Sequence, residues 1–162
     1  MQNEGISIKE LGQGNLPLSL SIMATEEAER RMHEAENVNP MNYNSLEYCF
    51  NEAYRELKRN HAKITFEKLT KEKLLDSTKG KALIDDYPVF LENNPKLKDT
   101  ADIKKAFLSQ IKDISQLADD IITLNAMEMI VDGKIKHLER TCSHMKKKMD
   151  LILKSGISTK LY

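Results

Sequence analysis

The sequence predicts an all-α protein: a long antiparallel helical hairpin or coiled coil, preceded by a short N-terminal helix and an extended N-terminal arm. Three observations predict it. Apolar residues recur with a seven-residue period through the last third of the chain. The turn-forming clusters Asp85-Asp86-Tyr87-Pro88 and Asn93-Asn94-Pro95 separate that stretch from an earlier helical pattern. Charge falls in four alternating blocks: residues 1–54 hold 3 basic and 9 acidic groups, 55–84 hold 9 and 4, 85–132 hold 5 and 10, and 133–162 hold 8 and 2.

Residues 1–22 carry Gly5, Gly12, Gly14 and Pro17 and no helical period. Leu16, Leu18, Leu20 and Ile22 alternate with polar or proline positions, the period of an extended strand. Such an arm packs along its own domain or adds to a neighbouring subunit. Thr25 is placed to cap a helix over about 25–37, with Glu26 and Glu27 in its first turn. That helix should stop before Asn39-Pro40, because a residue preceding proline is pushed out of helical geometry.

Asn44 followed by Glu47 resembles a capping box, and Leu46, Phe50, Ala53, Leu57 and Ile64 follow at helical spacing. A second helix is expected over about 44–76, with Phe66, Leu69, Leu74 and Leu75 continuing an apolar face and Ser77-Thr78-Lys79-Gly80 as its break. A connection over about 77–100 follows, pinned by Tyr87, Val89, Phe90 and Leu91. Thr100 is the expected cap of a last helix over about 101–154, and Gly156 its stop; residues 156–162 form a tail.

From Ile103, alternating steps of four and three reach Ile152, and thirteen of these fifteen positions are apolar. A 3.5-residue period implies left-handed supercoiling against a partner helix. Ile at a with Leu at d suits a parallel two-stranded coil, but the same stripe can seat the chain's own second helix. Charge favours the latter. An antiparallel turn near residue 92 sets the basic block 55–81 against the acidic block 103–129, and the acidic beginning against the basic end. Such exposed pairs contribute only about 0–1 kcal/mol each, so they select register and orientation.

The polar members of the stripe, Gln110 and Glu128, are candidates for fixing register. Between Ile121 and Val131 the band widens to include Ile122, Met127, Met129 and Ile130, more than a two-helix seam needs. These residues, with Leu16, Leu18 and Leu20, are the candidate contacts to a second copy or another protein.

Chemistry-bearing motifs point away from a cofactor or a metal. There is no Cys-x-x-Cys, His-Glu-x-x-His, phosphate-binding glycine loop or nucleophile elbow. His137 and His144 lie seven apart on one helical face with Cys142 offset, a set short of the four ligands of a structural zinc site. Cys49 and Cys142 sit within helical patterns, where free thiols pack as small hydrophobes. The strongest functional candidate is the basic end: Lys134, Lys136, Arg140, Lys146, Lys147, Lys148 and Lys154. Clustered cations release counterions from a phosphate backbone, and Tyr43, Tyr48 and Tyr54, if exposed nearby, could stack bases. Lys146 to Lys148 are expected to lie beyond the start of the second helix, uncovered by it.

From Lys79 to Gly156 the layout resembles the recombination mediator family of T-even-type phages. The points of contact are the acidic Pro-containing connection, the long helix, and a Leu124-Asn125 step followed by Ile130, Ile135 and a basic run. The resemblance implies a small helical oligomer that handles single-stranded DNA and loads a recombinase. This chain departs from that layout by an N-terminal extension and by about twenty further residues of basic helix.

The reading is therefore a non-enzymatic assembly or adaptor protein, homo-oligomeric, binding single-stranded nucleic acid through its basic helix end. The alternative is a structural subunit of a virion or other assembly with protein contacts only; a third is an enzyme whose site no motif announces. With no leader-like start and no long uncharged apolar run, a soluble, cytoplasmic or virion-associated chain is expected, without membrane contact.

Overall fold

A computed structural model describes residues 18–158, and the side chains of 18–156. Leu16 lies outside them. The described residues form six helices: α1 Met23–Arg30, α2 Met32–Glu36, α3 Tyr43–Asp85, α4 Tyr87–Asn93, α5 Ala101–Ser109 and α6 Lys112–Ser158. No strand occurs among them, so the protein is all-α.

The long helices α3 and α6 run antiparallel: Glu47 near the start of α3 meets Lys146 near the end of α6, and Lys71 meets Asp120. Their seam follows the heptads. Leu46, Phe50, Ala53, Leu57 and Ile64 of α3 are buried against Leu124, Met127, Val131, Ile135, Leu138, Met145 and Met149 of α6. Two small helices complete this core with Ala28 and Ala35. A hairpin with a turn near residue 92 would set Lys71 against Asp113; the observed partner Asp120 puts its midpoint near residue 96.

Helix α3 runs through Gly80 to Asp85 instead of stopping near residue 76. Gly80 has no positive φ, and tertiary packing of Ala82, Leu75 and Leu83 outweighs its low helix propensity. The expected connection over 77–100 shrinks accordingly. It holds α4, whose Pro88 sits in the first turn where no backbone donor is needed. Tyr87, Phe90 and Phe107 then form an aromatic cluster, with ring centroids 5.1–6.1 Å apart. Val89, expected to help pin this connection, is exposed.

The single last helix expected over 101–154 is two helices. Thr100 caps α5, its side chain accepting from the Ile103 N–H at 3.3 Å. The chain leaves α-helical bonding at Gln110 and Ile111, whose amides donate to Phe107 and Leu108 three residues back. This tighter turn lets both Leu108 and Ile111 pack on the aromatic cluster. Gln110 is the exposed C-cap of α5, a helix break and no part of the seam. At the far end α6 continues past Gly156 to Ser158.

Three further local expectations change. The first helix begins at Met23, before Thr25, and is divided at Arg31 into α1 and α2. Thr25 is buried and spends its donors on Glu56 of α3: its N–H and Oγ1 both reach Oε2 at 2.8 Å. The expected capping box at Asn44 is absent, since α3 starts at Tyr43 with no side-chain cap; Glu47 instead accepts from Tyr43 Oη at 3.1 Å.

The described part of the arm, residues 18–22, lies along its own domain. Leu18, Leu20 and Ile22 pack against the core while Ser19 and Ser21 stay largely exposed, keeping the period of two. Residues of α3 at four- and three-residue steps hold it. Ser21 Oγ donates to Glu56 Oε1 at 2.6 Å, Asn60 Nδ2 to the Ser21 carbonyl at 2.6 Å, and Lys63 Nζ to the Ser19 carbonyl at 2.9 Å.

Gly133, inside α6, has neither a positive φ nor a neighbour within 4 Å of where a Cβ would stand. Gly133→Ala is therefore expected to stabilise the protein by about 0.5–1 kcal/mol, read as a higher urea midpoint at unchanged slope.

Candidate nucleic-acid interface

The expected basic end divides into lysines that the fold engages and cations that it leaves to solvent. Lys134 pairs with Glu29 of α1. Lys146 lies 3.8 Å from Glu47 of α3, and Lys148 donates to the Glu36 carbonyl of α2. The expectation that Lys146 to Lys148 lie beyond cover is thus corrected for Lys146 and Lys148: α2 and the start of α3 reach them. Lys136 pairs within its own helix with Asp132 at 2.6 Å. Arg140, Lys147 and Lys154 are exposed and make no ion pair among the described residues.

With 3.6 residues per turn, Lys136, Arg140, Lys147 and Lys154 fall within about 40° of one another around α6, a stripe about 27 Å long. Ser143 and His144 stand between Arg140 and Lys147 and line the same exposed surface. Glu139 and Asp150 border the stripe and are the acidic groups of its half of the helix. Heptad counting hid this feature, because it tracks the buried face. The opposite, 3.6-residue count of cations on the same helix would have found it.

The tyrosines separate. Tyr43 is half-buried and donates to Glu47; Tyr48 is exposed on the α1 side beside Arg31 and Cys49. Tyr54 lines a groove between α3 and α6 that includes Lys147, so it alone of the three adjoins the stripe. A second groove, between α2 and α6, brings His33 to His137, Arg140 and His144. Among the described residues no cluster of His, Cys, Asp or Glu is arranged to hold a metal ion. Burial pushes the Cys142 thiol up against the opposing charge of Lys146, and burial likewise raises Cys49.

The widened apolar band also divides. Met127 and Val131, expected to reach outside partners, are buried in the chain's own core. Ile130 packs partly on that core and Ile121 is half-buried. Leu18 and Leu20 likewise serve the intramolecular core. Ile122 and Met129 are 66% and 76% exposed and are the part of the band left for a partner. On α3, Phe66 and Leu69, expected with Leu74 and Leu75 to continue its apolar face, are exposed at the same stage of the hairpin, and Leu74 is exposed further along.

Glu128 takes its place inside the seam with three α3 partners. Thr65 Oγ1 donates to it at 2.7 Å, Lys68 Nζ donates to its other oxygen, and His61 Nε2 lies 3.9 Å away. The Lys68 and Thr65 hydrogen bonds hold its carboxyl below the usual carboxylate range.

Among the described residues no helix is long and apolar enough to cross a membrane. Comparison with protein-family models, with characterised proteins and with solved structures finds no match to this chain.

Proposed function

We propose that the protein is a non-enzymatic helical assembly or adaptor protein that holds a single strand of nucleic acid along α6, in the manner of a recombination accessory factor. The observation that carries this reading is the row of Arg140, Lys147 and Lys154, exposed and without carboxylate partners among the described residues, in line with Lys136. The chain has no net charge, so a generally cationic surface is not the reason for these cations. A cation left without a carboxylate partner is available to displace counterions from phosphates.

Fluorescence anisotropy with a labelled single strand tests the reading. Four phosphate contacts predict that log K falls with log salt at a slope of about −3, from roughly −0.7 per contact. Replacing Arg140, Lys147 and Lys154 together with alanine should flatten that slope to about −1. Lys146→Ala should change it less, because Lys146 already faces Glu47. Absence of binding at low salt would overturn the proposal.

A second reading, a structural subunit making protein contacts only, is favoured by the exposed Phe66, Leu69, Ile122 and Met129. A concentration-dependent rise in mass by light scattering, in a protein that ignores nucleic acid, supports that reading over the first.

A further inference from the structure

We infer that the groove between α3 and α6 beside the stripe is a seat for one unstacked nucleobase of a strand whose phosphates lie on α6. The inference rests on the polyanion reading above and specifies what part of the strand, besides its charge, the protein grips.

The groove has a volume of about 390 Å³ and is open to solvent. Leu138, Cys142 and the Tyr54 ring give it an apolar floor, and Asn51 and Ser143 stand at its rim as polar groups able to pair with a base edge. Lys147 lines both this groove and the exposed surface of the stripe, so the two features are continuous. Glu139 and Asp150 also line the groove. Their carboxylates repel a phosphate but accept hydrogen bonds from the exocyclic amine of cytosine or adenine. The arrangement thus separates the two halves of a nucleotide: phosphate outside on Arg140 and Lys147, base inside on Tyr54. Lys58 Nζ lies 5.4 Å from the Tyr54 ring centroid, so a further cation borders the seat. In a duplex the base would be stacked and paired, so the geometry suits a single strand.

The test compares a twelve-residue oligo-dC with an abasic sugar-phosphate strand of equal length and charge, at one salt concentration. The native protein is expected to bind oligo-dC about tenfold more tightly, within the range that base stacking on an aromatic side chain supplies. Tyr54→Leu should abolish the preference while leaving the salt slope unchanged. Should that variant lose its helical circular dichroism, Ser143→Leu fills the groove from an exposed position and should abolish the preference too. Equal affinity of the native protein for both strands overturns the base seat and leaves the polyanion reading standing. A preference that survives in a folded variant of either kind also overturns it, and failure of both strands to bind overturns both readings.

Discussion

Glu56→Ala is expected to lower stability by about 2–4 kcal/mol, since the buried Thr25 donors lose a charged acceptor. Glu56 is 8% exposed, the buried charged side chain among the described residues, and both its oxygens are used. Ser21 Oγ, Thr25 N–H and Thr25 Oγ1 converge on it and tie the arm and the first turn of α1 to α3. In urea the midpoint should fall, and protease cleavage should begin within residues 18–30 before the α3–α6 seam opens. Glu56→Gln, which keeps the shape and part of the bonding, should lose less than half as much.

The pH dependence carries a second signature. Burial pushes the Glu56 carboxyl up, but the Ser21 and Thr25 hydrogen bonds outweigh it and leave the group below its ordinary value. A carboxylate depressed in the folded state contributes stability that is fully present above its unfolded pKa, about 4.3, and is lost as pH falls through the folded value. The gap in stability between native protein and Glu56→Ala should therefore be constant at neutral pH and narrow below about pH 4.3. A gap that stayed constant through this range would show that the loss comes from packing alone.

Phe107→Ala is expected to cost about 3–5 kcal/mol, and to spend that loss at one end of the molecule. Phe107 joins the Tyr87 and Phe90 rings, and this cluster is separate from the core shared by α1, α3 and α6. Between Ile64 and Ala82 no side chain of α3 is buried. The two helices are bridged there by polar contacts, Lys68 to Glu128 and Lys71 to Asp120 at 2.8 Å. Hydrogen exchange should show α4, α5 and the last turns of α3 losing protection, while residues 46–64 keep theirs. Uniform loss along α3 would mean that the polar stretch transmits cooperativity between the two cores.

What the sequence made legible was what local spacing controls. Leu46, Phe50, Ala53, Leu57 and Ile64 face the seam because their spacing leaves them on one side of a helix, and the alternation of Leu18, Leu20 and Ile22 survives in the folded arm. Thr100 caps a helix as its chemistry suggests. What failed depended on partners far along the chain. Thr25 is a good cap by local rules, yet Glu56, thirty-one residues away, claims its donors. Gly80 looks like a stop, but packing of Ala82 carries α3 past it. Heptad counting ran straight through Gln110 because a period records which face is apolar and says nothing of a broken hydrogen-bond ladder.

The candidate site was legible as a region and misjudged in detail for the same reason. Eight basic residues mark the end of the chain, but which are free depends on where Glu29, Glu36 and Glu47 are brought by two turns and a short helix. Likewise, Met127 and Met129 are the same residue type on one helix, and only what packs over each decides that one is buried and the other exposed.

Helix α6 runs without interruption from Lys112 to Ser158, from the aromatic turn to the cationic end. At about 1.5 Å per residue it acts as a spacer that holds the aromatic turn at Ile114 about 35–60 Å from the stripe running from Lys136 to Lys154.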